Sequence, residues 1–314
     1  MAGGDALYAN VSLLLHCNGT NGSTTFIDNG PTPKTVTAYN GAQISTAQSK
    51  WGGASALFDG TNDYLTAGSA SDWKHLHDDS TDYAIEGLVY WNGGTSDLTI
   101  ISTAAASANV GLLLQVLGSD SRKLNVQIYR GSGGNSLSAT SSTGLTSGAW
   151  TYFKFSYTKT TRGYAFRIGS SAAGSGTMTV GGTWPSSSTS DPTYTLAIGR
   201  YQYSTPGGYM NGYLDDLRIT KAARTETSEP SAAFPDGMGV VSGVIRDSAG
   251  AVCARTVRAY RRDTGALVAS TTSDAGTGAY SLGVPTLDEV TVIALDNATS
   301  GTYYNDQAIR VIPD

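Results

Sequence analysis

The sequence predicts an all-β protein made of a large two-sheet sandwich and a small second sandwich at the carboxy terminus. Of its 314 residues, 39 are glycine and four are glutamate. That balance disfavours helices, because Gly destabilises helix interiors and Glu is among the good helix formers. Charged residues make up 14% and hydrophobic residues 39%, with 18 tyrosines, so the chain can bury a sizeable core and is not disordered as a whole. Short apolar or alternating runs recur throughout, separated by Gly, Asn, Asp and Ser clusters.

In chain order the runs of strand length are Val11–Leu15, Ala56–Asp59, Tyr64–Ala67, Tyr83–Trp91, Leu98–Ser102 and Leu112–Val116. They continue with Leu124–Tyr129, Trp150–Thr158, Tyr164–Ile168, Tyr194–Ile198 and Tyr213–Ile219. Most alternate with period two: Tyr83, Ile85, Val89 and Trp91 share one face, as do Phe153, Phe155 and Tyr157. Gly131–Gly148 and Ser170–Asp191 carry almost no large apolar residues and read as long exposed loops or hairpin tips. So many antiparallel strands require two packed sheets, since one open sheet would leave an apolar face uncovered.

Composition shifts after Arg224. Residues 225–238 are polar, Pro-bearing and without periodicity, and read as a linker between domains at 1–224 and 239–314. In the second domain Val240–Arg246, Thr256–Arg262, Ala266–Ser273, Ala279–Leu282, Val290–Leu295 and Ala308–Ile312 alternate again, with Asp-Gly turn signals between them.

A net charge of -5 gives no global reason to bind nucleic acid or anionic lipid. Cys17 and Cys253 make no disulfide framework and read as small apolar fillers. No run reaches the length of a membrane span, so no membrane insertion is expected. The start, Met-Ala-Gly-Gly-Asp, has no basic or apolar leader, which reads as a protein assembled in the cytosol.

Two local patterns reach beyond fold class. Ala56-Leu-Phe-Asp-Gly-Thr-Asn-Asp-Tyr-Leu65 and Tyr83–Trp91, then Trp150–Phe155, Leu196-Ala-Ile-Gly-Arg200 and Gly212-Tyr-Leu-Asp-Asp-Leu-Arg-Ile219 occur in this order. The series resembles laminin-G-like, concanavalin A-like lectin domains over about residues 7–224, which implies a jelly-roll sandwich. Residues 239–314, through Val244–Gly250, Val257–Gly265 and Asp274–Tyr280, resemble the transthyretin-like (carboxypeptidase-regulatory-like) module, an Ig-like β-sandwich. The Tyr260-Arg-Arg-Asp-Thr-Gly265 version is similar to terminal modules of tailed-bacteriophage structural proteins, which implies a virion location.

The chemistry-bearing residues narrow the function. A glycosidase needs two carboxylates flanking the scissile bond. Glu86 is the only glutamate before residue 226, which reads as a hydrogen-bonded or solvent-facing strand residue and points away from an enzyme. His75 and His77, with Asp72, Asp78 and Asp79, read as a short turn or helical loop rather than a metal site. By family position, a structural calcium would take Asp59, Asn62, Asp63 and Asp216. The alternative is a turn whose side chains cap backbone N–H groups. For glycan binding or a subunit interface the candidates are Tyr129, Arg130, Trp184, Tyr201, Tyr203, Tyr209 and Asn211, in or beside loops.

Two functions stand open. In the first, the lectin-like domain of a phage virion protein binds host-surface polysaccharide. In the second, the protein decorates or cements capsid or tail and the lectin fold is a structural spacer. Either sets it among other virion proteins, as a homo-oligomer.

Overall fold

Alternation along the strands places every second side chain in a shared core, and that parity decides the architecture. A computed structural model of the chain describes residues 5–104, 109–130, 136–178, 190–202, 206–237, 239–247, 249–262, 265–284, 289–295 and 307–311. Two units emerge: Asn10–Phe234, and Met1–Ala9 together with Pro235–Asp314. No helix among the described residues is long and apolar enough to cross a membrane.

The larger unit is a two-sheet sandwich. Its strands are β1 (Val11–Leu15), β2 (Val36–Tyr39), β3 (Gln43–Ser45), β4 (Ser55–Asp59), β5 (Tyr64–Ala67), β6 (Tyr83–Trp91), β7 (Leu98–Ser102) and β8 (Val110–Leu117). They continue as β9 (Lys123–Arg130), β10 (Ser136–Gly144), β11 (Trp150–Thr158), β12 (Gly163–Ile168), β13 (Ser171–Thr177), β14 (Leu196–Ile198) and β15 (Asn211–Thr220). One sheet has eight strands, ordered β13-β12-β11-β6-β15-β4-β3 with β1 also on β15; the other has seven, ordered β10-β9-β8-β7-β14-β5-β2. Phe58, Ile85, Phe153, Phe155 and Leu214 from the first sheet meet Leu65, Leu112, Leu114, Val126 and Ile128 from the second. Each such side chain contributes about 1.5–3 kcal/mol on full burial. This is the jelly-roll sandwich that the strand pattern and the resemblance imply.

Two stretches expected to be loops contain strands instead, β10 and β13. Both lie at the end of their sheet and pair on one side only, so neither needs a broad apolar face. Among the side chains described, Ala139 and Ala173 supply their buried core contacts.

Residues 225–234, read from composition as the start of a linker, pack on the outer face of the eight-stranded sheet. Lys154 Nζ donates to the carbonyls of Arg224 and Glu226, at 2.8 and 3.2 Å. Glu229 pairs with Lys50 at 3.0 Å, and Phe234 donates its N–H to Asp216 at 2.9 Å. Beneath this strap Glu86 is 1% exposed; it accepts from Tyr152 Oη at 2.6 Å and Arg218 Nη2 at 3.0 Å, with Arg224 Nε at 3.3 Å. The Arg218 guanidinium lies 3.8 Å from the Phe234 ring centroid. Composition could not show this, because the partners of 225–234 lie far away in sequence.

The smaller unit holds β16 (Gly239–Val244), β17 (Thr256–Arg261), β18 (Leu267–Thr272), β19 (Ala279–Val284), β20 (Val290–Ala294) and β21 (Gln307–Val311). A two-stranded sheet, β16-β19, and a four-stranded one, β18-β17-β20-β21, share a core of Val241, Tyr280 and Leu282 with Val257, Val290 and Val292. Asp5 donates its N–H to Gly237 at 3.1 Å, which ties the first described residues to this unit rather than to the jelly roll.

The Glu86 cluster gives a direct stability test. Arg218→Ala leaves a buried carboxylate short of a charged partner and should cost about 3–5 kcal/mol in urea unfolding. A loss under about 1 kcal/mol would mean the cluster does not anchor the strap.

Candidate functional site on the seven-stranded sheet

Because Leu112, Leu114 and Val116 on β8 and Leu124, Val126 and Ile128 on β9 face the core, the residues between them face outward. They are Leu113 and Gln115 on one strand, and Asn125, Gln127 and Tyr129 on the other. The four polar ones form a continuous hydrogen-bonded ladder. Tyr129 Oη donates to Gln127 Oε1 at 2.6 Å, and Gln127 Nε2 donates to Asn125 Oδ1 at 3.0 Å. Gln115 Nε2 also donates to Asn125 Oδ1, at 3.2 Å, while Asn125 Nδ2 reaches Thr140 Oγ1 at 2.9 Å and Ser138 Oγ at 3.2 Å. No carboxylate or cation enters the ladder. Gln115, Asn125 and Tyr129 are buried, Gln127 is half-buried, and Ser138 and Thr140 are exposed.

Beside the ladder, the chain after β14 folds back over the sheet. Tyr201 donates its N–H to Gly207 at 3.0 Å, and Gly208 accepts from Thr99 N–H at 2.8 Å. A Cβ on Gly207 would stand 2.5 Å from Tyr201 Oη, and one on Gly208 2.7 Å from its Cδ1, so the ring requires glycine at both positions. Tyr201 packs against Ala104, Leu113 and Tyr129. At the other edge, Tyr39 pairs across β2 and β5 with Tyr64. Their rings stack with centroids 4.5 Å apart and planes 3° from parallel, and Arg200 sits 3.5 Å from the Tyr64 centroid. Tyr39 is 39% exposed.

The expected binding residues do not form one site. Tyr129 and Tyr201 come together on this face. Arg130, next along β9, points to the opposite side, where the charges of Asp78 and Asp79 and the Tyr157 and Tyr83 hydroxyls act on it. Asn211 lies on the other sheet, opposite Asp59. Tyr209 is half-buried, and Trp184 and Tyr203 lie outside the described residues. Tyr39, Tyr64, Arg200, Gln115, Asn125 and Gln127 were not anticipated. The amides could have been found, since they occupy the polar half of the alternating runs Leu112–Val116 and Leu124–Tyr129.

The four candidate calcium ligands do not fit that ion as a set. Asp63 is 2% exposed, and its two oxygens accept N–H groups of Gly41 at 2.6 Å and Asp59 at 3.0 Å. Asp59 accepts from Thr61 N–H at 2.7 Å, which makes this a capped turn. Asp216 stands five residues from Asn211, the strand partner of Asp59, hence about 16 Å along the strand. Its oxygens hold His16 Nδ1 and Phe234 N–H. Among the described residues no group of three or more His, Cys, Asp or Glu could hold a metal. His75 is a core residue between the Trp73 and Tyr83 rings, and burial depresses its pKa to about 3. The neighbouring Asp215 is buried and holds the N–H groups of Lys50 and Trp51; burial pushes its carboxyl up to about 7.

The family model for the concanavalin A-like lectin/glucanases superfamily, in its laminin-G-like form, matches residues 59–228, more than half of the chain. The chain belongs to that superfamily. No curated protein matches the chain. Among solved structures, one of botulinum neurotoxin type C, titled for its interaction with two ganglioside molecules, is similar with a TM-score of 0.50 and 9% identity, over 93% of this chain and 72% of that one. Domain 4 of a Geobacillus stearothermophilus extracellular arabinanase, in complex with arabinotriose, gives 0.47 and 19% over 69% and 95%. The CBM40 of a Ruminococcus gnavus sialidase, bound to sialyllactose, gives 0.39 and 7% over 48% and 83%. At these identities the likeness is one of fold.

The superfamily holds both lectins and glucanases, so Glu86 bears on the choice. Its carboxylate is held by Tyr152, Arg218 and Arg224 under the strap, out of reach of a substrate. A groove of about 500 Å³ on the same sheet, along 224–227, is also committed: its Lys154 bonds Arg224 and Glu226, and its Arg167 bonds the Ser170 carbonyl at 2.6 Å.

Two outcomes follow. Chelator should leave the melting temperature unchanged; a drop on chelation, reversed by calcium, would restore an ion site. His75 stays neutral in the folded state down to about pH 3 but takes a proton near 6.5 when unfolded, so its contribution is lost as pH falls through that window. Asp215, raised to about 7, acts in the opposite sense, costing stability as pH rises from about 4 to 7. The stability difference between the parent and His75→Phe should therefore grow with pH between 4 and 6.5, by up to about 1.4 kcal/mol per unit. Parallel urea-unfolding profiles would show that His75 is not held neutral.

Proposed function

We propose that the protein is a non-enzymatic glycan-binding module, and that the outer face of the seven-stranded sheet is its binding surface. The observation that carries this reading is the amide–hydroxyl ladder around the half-buried Gln127, with Ser138 and Thr140 exposed at its rim, on the same sheet face as the Tyr39–Tyr64 stack at the opposite edge. Amide and hydroxyl groups match the donor and acceptor pattern of sugar hydroxyls, and aromatic faces match the C–H faces of sugar rings. Fixed rotamers lower the ordering cost on binding. On a glycan array the full chain should bind a defined set of oligosaccharides. Gln127→Ala should weaken that binding at least tenfold, about 1.4 kcal/mol, with little change in melting temperature. A blank array with folded protein sinks the reading.

The setting we propose is a tailed-phage particle, where the jelly roll would attach to host-surface polysaccharide. Support for it is the resemblance of residues 239–314 to terminal modules of phage structural proteins. The second reading, a decoration protein with the lectin fold as spacer, draws on Val240, Val244 and Leu267, which are 42%, 53% and 51% exposed in the smaller unit. Quantitative mass spectrometry of purified particles separates them. A few copies per particle, in multiples of three or six, favour adhesion; hundreds favour decoration; none removes the virion setting.

A further inference from the structure

Resting on that reading, the structure points to a more specific ligand: we infer that Arg200, with Tyr64 and Tyr39, forms a subsite for a carboxylate-bearing sugar. Among the described residues no carboxylate forms an ion pair with the Arg200 guanidinium, and its buried Nε has no hydrogen-bond partner. A buried donor left unmade is costly, and a ligand acceptor beside the guanidinium would relieve that cost. The stack on Tyr64, 3.5 Å from the centroid, holds the guanidinium plane in place without using its N–H groups. A fixed planar fork with free donors suits a carboxylate, which it can bind through two parallel hydrogen bonds.

The surroundings favour an acid. The positions on the same outward face in register are Thr37, Thr66, Ala197 and Ser102, none of them charged. In the adjoining turn, Asp63 is buried on the Gly41 and Asp59 N–H groups, and Asp59 caps Thr61. The exposed Tyr39 ring, stacked at 4.5 Å on the other face of Tyr64, offers an apolar face for a neighbouring sugar of the same glycan rather than for the acidic one. Neutral sugars of the same glycan would then lie toward the amide ladder. The shared chemistry is a sugar carboxylate, from a uronic acid or from a sialic acid.

The test uses the full chain and two acidic probes, a tetragalacturonate and a sialylated trisaccharide, each against its carboxyl-reduced form, by titration calorimetry at two salt concentrations. At least one acidic probe should bind at least tenfold more tightly than its reduced form, and more weakly at higher salt; which one it is distinguishes the two sources. Arg200→Gln should erase that preference, and Arg200→Lys, which keeps charge but loses the fork, should retain part of it. Tyr39→Ala should weaken acidic and reduced probes alike. Equal binding of acidic and reduced forms, or an R200Q protein that keeps its preference, overturns the inference. Glycans that bind through the ladder with neither acidic probe among them also overturn it while leaving the glycan-binding reading intact. Failure of every glycan ends both. Should R200Q not fold, the R200K and reduced-probe comparisons decide alone.

Discussion

The buried carboxylate of Glu86 organises one whole side of the jelly roll. A charge taken out of water must be paired, and here Tyr152, Arg218 and Arg224 all converge on it. Arg224 belongs to the chain that leaves the last strand, so satisfying Glu86 draws residues 224–234 across the eight-stranded sheet. Lys154 and Phe234 complete the closure, the first on the strap's carbonyls and the second on Arg218. The one glutamate on a strand of the large unit thus fastens the fold.

Closing one sheet leaves the other with a different task. Beside the apolar Leu113, the outer side chains between the core residues of β8 and β9 are amides and a phenol held by one another. Asn125 sits at the centre of that arrangement, accepting from two glutamines and donating to Ser138 and Thr140. A surface already fixed in this way loses little side-chain freedom when a polyhydroxylated ligand arrives. The Tyr39–Tyr64–Arg200 group at the far edge adds stacking and one oriented positive charge. These features give the two sheets of one sandwich distinct roles.

Much of this was legible in the sequence, and the limits are physical. Strong alternation made Tyr83–Trp91 and Trp150–Thr158 readable as strands, and they form the centre of the eight-stranded sheet. β10 and β13 escaped because edge strands need little apolar surface, and their Ser, Thr and Gly residues mimic loops. Tyr129 and Arg130 looked like one patch, yet adjacent strand residues face opposite ways. The Tyr39 platform depends on the pairing of β2 with β5, and the strap on contacts between distant segments. Neither long-range pairing leaves a local mark. The Asp59–Asp63 turn shows the converse: its residue types suit a cation, but backbone N–H groups within the same turn and in the β2–β3 loop take the oxygens first.

The central claim is that the outer face of the seven-stranded sheet receives the glycan. The most direct measurement is nuclear magnetic resonance of the full chain, following the side-chain NH₂ signals of Gln115, Asn125 and Gln127 during titration with a binding oligosaccharide. The account predicts that these signals shift in a saturable way, together with the Arg200 Nε–H, while residues lining the 224–227 groove stay still. Shifts confined to that groove, with the three amides unmoved, would contradict it.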